Sequence, residues 1–308
     1  MSLKQRAGTP TTRLSYIAPL DWTRLVRFLS ARSVKGVESV RDDAYLRTVR
    51  LGDHTGWIRV RDAPAKHALA VEVAPTLAPA LASLRERLIN LFDLGARPDI
   101  IGAHFARDPI LGDSVAQRPG LRVPGAFDGF ELAVRAILGQ QITVKAATTI
   151  AGRFVAAFGD PLETPYPELT HLSPTASRVA SASVDEIASL GIIQTRARSI
   201  IAIASEMESG RLELRPGAHP DAVIAKLVAL PGIGAWTAHY IAMRALRWAD
   251  AWPKEDIALR NALGRVTPKR ADELSQPWRP WRSYATLHLW CDAGERVAPI
   301  TTASRSRP

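Results

Sequence analysis

The stretch of this 308-residue chain best able to do chemistry is LVALPGIGAWTAHYIAMRAL, Leu227 to Leu246, followed closely by WADAWPKEDIALRNALG. Apolar residues on both sides of Pro231-Gly232-Ile233-Gly234 predict two helices joined by a hairpin too tight for side chains at the glycines. Such a hairpin turns consecutive backbone N–H groups outward beside a helix N-terminus, and both features favour an anion such as a phosphate. A plain turn between helices carries the same four-residue signature. The longer pattern LPGIGxxTA, from Leu230 through Ala235 to Thr237 and Ala238, is much more specific. The second segment supplies three carboxylates, Asp250, Glu255 and Asp256, and Asp256 opens a helix beginning IALRNAL. An aspartate there is ordinarily an N-cap, and it is equally a fixed negative charge beside a potential anion-binding hairpin.

The elements that must position these residues divide the chain into two architectures. Asp21 caps a helix carrying Trp22, Leu25, Val26 and Leu29 on one face. Three alternating segments follow, Ala44 to Leu51, Thr55 to Asp62 and His67 to Ala74, which read as an antiparallel meander. Leu77 to Leu94 resumes helical spacing, so the N-terminal unit is α+β, its sheet able to bury one face under helices. Between Gly95 and Gly125 the density of Pro and Gly breaks regular structure and marks a domain connection, with a boundary near residue 100. From Asp128 onward the chain reads helical, with Asp128, Thr143 and Ser183 as N-caps of successive helices.

Composition narrows the function classes. The formal charge of +10 and the pI near 10.2 favour a polyanionic partner, since Lys and Arg gain affinity by releasing condensed counterions. A solvated basic surface has the same composition. The single cysteine, Cys291, excludes a disulfide framework within the chain and a cysteine-ligated zinc or iron–sulfur site. No apolar run approaches the ~20 residues that span a bilayer, and residues 1–13 carry neither a secretory h-region nor any periodicity. A cytoplasmic location, where bacterial DNA also lies, is expected, without a membrane partner.

The hairpin and the downstream aspartate together resemble the helix-hairpin-helix DNA glycosylase superfamily, and within it the AlkA family of alkylation-repair enzymes. APLDWTRLVRFLSAR, LINLFDL, RPGLRVPGAFDGFELAVRAILGQQ, PGIGAWTAHY and PWRSYATLHLW resemble that family's segments in the same order, covering about Leu14 to Gly294. The resemblance implies a TATA-binding-protein-like α+β domain over 1–98, with an antiparallel sheet and helices, followed by an all-α core of two subdomains. One subdomain spans 129–248 and contains the helix-hairpin-helix. The other combines 99–128 with 249–308, and the active-site cleft lies between them.

By the same resemblance Asp256 is the catalytic carboxylate, Trp236, Tyr240, Trp290 and Phe28 line the pocket for an extruded base, and Leu230 to Ala235 with Thr237 form the DNA-binding hairpin. Backbone carbonyls of Val228, Leu230 and Ile233 are implied to hold a monovalent cation, Na or K, and no other cofactor is expected. Gln141 falls where the family keeps a leucine wedge, and a Gln140-Gln141 pair can equally make a simple turn.

The implied activity is monofunctional: a monomer on double-stranded DNA flips the damaged nucleotide by ~180° and hydrolyses its N-glycosidic bond. Asp256 stabilises the oxocarbenium-like sugar and positions or deprotonates water. Cationic 3-methyladenine and 7-methylguanine are expected to leave fastest and neutral lesions such as hypoxanthine more slowly, because the aromatic pocket shows no obvious buried acid. Replacement of Trp236 or Trp290 by Leu is then expected to cost more on cationic than on neutral lesions. A glycosylase/lyase needs an amine nucleophile, and Trp236 stands where lyase members of the fold keep lysine. A non-enzymatic DNA-binding module does not require a carboxylate in register beside several aromatics.

Overall fold

A computed structural model describes residues 10–297. The N-terminal unit contains β1 (Thr11–Ser15), α1 (Trp22–Ser30), β2 (Glu38–Arg41), β3 (Ala44–Leu51), β4 (His54–Ala63) and β5 (Ala68–Val73). The strands form one antiparallel sheet in the order β1-β5-β4-β3-β2. Its inner face follows from alternation: Gly56, Ile58 and Val60 of β4 point inward while Trp57, Arg59 and Arg61 are partly exposed. The expected meander is present, flanked by two short strands that the sequence reading did not include.

Asp21 caps α1 by accepting from the Arg24 backbone N–H at 3.0 Å, and Trp22, Leu25, Val26 and Leu29 are buried against the sheet. Each such burial is worth roughly 1.5–3 kcal/mol. α2 is Leu81–Leu91, shorter than the helix expected from Leu77, because a 3₁₀ turn over Pro75–Ala80 precedes it and Pro79 offers no N–H to continue an α-helical ladder.

The Pro- and Gly-rich connection is not irregular throughout. It holds α3 (Pro98–Phe105) and α4 (Gly112–Gln117), with Pro98 at the first position of its helix, where the missing N–H costs nothing.

The helical part follows: α5 (Gly129–Leu138), α6 (Val144–Phe158), α7 (Ala176–Ala180), α8 (Val184–Ala188), α9 (Gln194–Glu208), α10 (Pro220–Val228), α11 (Ala235–Arg244), α12 (Ile257–Ala262), α13 (Pro268–Leu274) and α14 (Arg282–Val297). Asp128 and Thr143 cap α5 and α6, and Ser183 forms a reciprocal capping box with Glu186. α4 packs against α14, where the Ser114 hydroxyl lies 3.1 Å from His288 Nδ1, and the Trp278 indole donates to Asp108 at 2.7 Å.

A buried ionic network fastens the sheet to α5. Arg47 of β3 pairs with Glu131 at 2.8 Å, and Arg135 pairs with Glu38 of β2 at 2.8 Å and with Glu131 at 3.2 Å. Burial pushes Glu131 up, but Arg47 and Arg135 outweigh it and hold the carboxyl below its ordinary value. Among the described residues no helix is long and apolar enough to cross a membrane.

Candidate active site

A cleft of about 1160 Å³ opens where the two parts of the chain meet. α1 supplies Arg24, Arg27, Phe28 and, just past its end, Ala31 and Arg32, so the helix buries one face in the sheet unit and turns the other to the cleft. The opposite wall comes from α11 and α14, with Trp236, Tyr240, Arg244 and Trp290. Asp256 lies in the same lining.

Asp256 is the N-cap of α12, its Oδ1 accepting from the Leu259 backbone N–H at 2.8 Å. It is also held by two indoles: Trp236 Nε1 donates to Oδ2 at 2.9 Å and Trp290 Nε1 to Oδ1 at 3.1 Å. A carboxylate offers about four acceptor positions, so three neutral donors fix its plane and leave room for a further partner. Its rivals are placed differently. Asp250 is buried and bound by Arg282 and Arg279, and neither it nor Glu255 lines the cleft.

Trp236, Tyr240, Trp290 and Phe28 all line this one cleft. Trp236 and Tyr240 stack with centroids 5.3 Å apart and planes within 12°, and Trp290 approaches Tyr240 at 6.4 Å. The two tryptophans do more than line a wall, since their N–H groups orient Asp256. Phe28 is in the cleft, but cations already sit against its ring: the Arg32 guanidinium at 3.8 Å from the centroid and Arg244 at 5.0 Å.

Arg244 donates to the Tyr240 hydroxyl at 2.7 Å and to the carbonyls of Pro124 and Gly125. Burial pushes the Tyr240 phenol up, yet Arg244, Arg32 and Arg135 outweigh it and hold the phenol below its ordinary value. Sequence reasoning missed these arginines. Their signal is a repeated spacing, Phe28 with Arg32 and Tyr240 with Arg244, each an aromatic followed one helical turn later by Arg.

The hairpin joins α10 to α11 with Pro231, Gly232, Gly234 and Ala235 exposed and Ile233 and Thr237 buried. The reason for glycine differs at its two positions. Gly232 has φ +76°, and a β-carbon there would meet Ser199 Oγ at 2.4 Å. Gly234 is not sterically confined, since a β-carbon there meets nothing within 4 Å; this corrects the expectation of a turn too tight at both glycines. Ser199 Oγ donates to the Pro231 carbonyl at 2.7 Å, and Gln140 Nε2 reaches the Gly232 carbonyl and Thr237 Oγ1, both at 3.1 Å. Gln141 is exposed in the α5–α6 turn with φ +57°. Val228 ends α10, and the Leu230 carbonyl accepts from the Ile233 N–H at 3.3 Å.

Residues 11–128 match the AlkA N-terminal domain, and residues 134–276 match the HhH-GPD superfamily base excision DNA repair protein family. DNA-3-methyladenine glycosylase 2 of Escherichia coli (strain K12) is 34% identical over 281 residues, 91% of this chain and 97% of that protein. The chain belongs to the AlkA family of HhH-GPD base excision repair proteins. A Mycobacterium tuberculosis relative, named as a probable bifunctional transcriptional activator/DNA repair enzyme AlkA, is 40% identical over 290 residues, covering 92% of this chain and 57% of its own length. The 3-methyladenine DNA-glycosylase from Archaeoglobus fulgidus shares the fold, with a TM-score of 0.81 at 19% identity over 92% of this chain and 98% of that one. The α+β unit followed by a helical core is therefore the architecture of this AlkA-family chain, as its sequence led us to expect.

Proposed function

We propose that this AlkA-family chain is a monofunctional DNA glycosylase that acts as a monomer on double-stranded DNA, releasing 3-methyladenine and 7-methylguanine by hydrolysis. One observation carries the reading: a carboxylate held by two indole N–H groups and a backbone N–H at the edge of an aromatic cleft. The neutral donors fix the oxygens without cancelling the negative charge, which suits stabilisation of a developing sugar cation and positioning of water. Among the described residues no lysine lines the cleft, which favours water over an amine as the nucleophile.

The exposed N–H groups at the start of α11 grip a phosphate, and the open space beside Gly234 lets the backbone approach it closely. The carbonyls of Val228, Leu230 and Ile233 suit a monovalent cation, because a helix C-terminus leaves carbonyls without helical partners and the Leu230 oxygen is engaged only by a long bond. Such an ion supplies positive charge facing the phosphate. Gln141, exposed at the tip of a turn whose neighbours Gly139 and Ile142 line the cleft, fills the gap left by the flipped base.

Incubation of the chain with methylated duplex DNA is expected to release free 3-methyladenine and 7-methylguanine. Borohydride is expected to trap no protein–DNA adduct. A trapped adduct would establish an amine nucleophile and end the monofunctional reading, and absence of free base would end the enzymatic one.

A further inference from the structure

The cleft is electrically lopsided. Asp256 is the acidic side chain in its lining, and it sits beside Trp236 and Trp290. Around Tyr240 the charged groups are guanidiniums, Arg32 after α1, Arg135 from α5 and Arg244 from α11 itself, and Arg24 and Arg27 of α1 add to the positive lining. Glu38 and Glu131 engage Arg135 from behind, whereas Arg32 is held by the Phe28 carbonyl and ring and Arg244 by two carbonyls and the Tyr240 hydroxyl. A guanidinium donates and never accepts. The Tyr240 oxygen therefore receives a hydrogen bond from Arg244 at 2.7 Å with arginines around it, none of which can accept the phenol's own proton, and the residue lines the cleft.

Resting on the glycosylase reading above, we propose that the Tyr240 hydroxyl is the general acid that protonates a departing neutral purine, with Arg244 and Arg32 stabilising the phenolate it becomes. A cationic base leaves as a neutral molecule and needs no proton. A neutral base leaves with the electron pair of its broken C1′–N bond, and the proton from Tyr240 Oη passes to a ring nitrogen of that base. Water adds to C1′, its released proton goes to Asp256 and then to solvent, and solvent restores the phenol, so the sum consumes one water. The sugar cation then develops beside Asp256 and the negative charge beside the arginines, which is the polarity the cleft already has. The guanidiniums that lower the phenol's pKa also make it the stronger acid.

The test compares the full chain with Tyr240→Phe, which keeps the stacked ring, in single-turnover release of hypoxanthine and 7-methylguanine from duplex DNA. The variant is expected to lose roughly 100-fold on hypoxanthine, at least about 10-fold more than it loses on 7-methylguanine. In the intact chain hypoxanthine release is expected to fall as pH rises through the phenol's lowered pKa, and that descending limb to vanish in Tyr240→Phe. Arg32→Gln, with one guanidinium fewer, is expected to move the limb to higher pH. Equal losses on the two bases, a limb that persists without the hydroxyl, or a limb unmoved by Arg32→Gln would overturn the assignment. Release of 7-methylguanine but no hypoxanthine by the intact chain would also overturn it while leaving the glycosylase reading standing. Release of neither base would overturn both.

Discussion

Asp250 and Asp256 lie within one short segment, and the structure treats the same functional group in opposite ways at the two positions. Asp250 accepts from Arg282 Nε at 2.7 Å, from Arg282 Nη2 at 2.8 Å and from Arg279, and it is buried. Among the described residues Asp256 accepts only from neutral N–H groups, those of Trp236, Trp290 and Leu259. Cationic partners extinguish a carboxylate's outward field, whereas neutral dipoles orient the oxygens and leave the charge available. The first arrangement fastens the start of α14 to the connection between α11 and α12. The second keeps a negative charge ready for use.

The comparison breaks most directly at Asp256→Asn, which is expected to cost about 1000-fold or more in single-turnover base release while affinity for abasic-analogue DNA stays within about 3-fold. Retained turnover would move the catalytic role elsewhere, with Glu255 the first residue to replace. Asp250→Asn is its counterpart: about 3 kcal/mol of stability is expected to go, because Arg282 is left buried with a weakened partner, while the folded fraction keeps its rate. Chemical denaturation together with activity per folded molecule separates the two aspartates.

Trp236→Phe sharpens the account of how Asp256 is held. It keeps a stacking ring but deletes one charge-assisted hydrogen bond, and roughly 10-fold to 100-fold is expected to be lost on cationic and neutral bases alike. The leucine variants of Trp236 and Trp290 remove both functions together, so phenylalanine is the cleaner probe. The smallest effect is expected at Gly234→Val, where the side chain has room in the protein: stability should hold, and DNA affinity should fall about 5-fold irrespective of sequence. A change of sequence preference without general weakening would remove the phosphate from this site.

Much of this was readable in the sequence because it depends on local chemistry. The caps at Asp21, Asp128, Thr143 and Ser183 each rest on a short polar side chain ahead of a helical apolar pattern. β1 escaped because only Leu14 and Tyr16 near it are buried, too few to show alternation, and β2 because it is only Glu38–Arg41. α3 was hidden by Pro98, which reads as a breaker until one knows it begins a helix. The arginine end of the cleft was hidden for another reason. Arg32 beside Phe28 and Arg244 beside Tyr240 are local pairs one helical turn apart, but the approach of Arg244 to the Phe28 ring joins the two parts of the chain, and pairing across that distance leaves no periodic trace.

The Gln140 side chain reaches the Gly232 carbonyl and Thr237 Oγ1, and Arg196 holds the Gln140 carbonyl in turn. The turn that carries Gln141 and the hairpin that carries Gly234 are thereby cross-braced into one rigid gauge. Under the proposed function, what the hairpin clasps on a DNA strand would stand at a set interval from what the turn inserts. If the proposed function holds, such a brace would set where a base is tested by distance along the backbone and by no letter of the sequence.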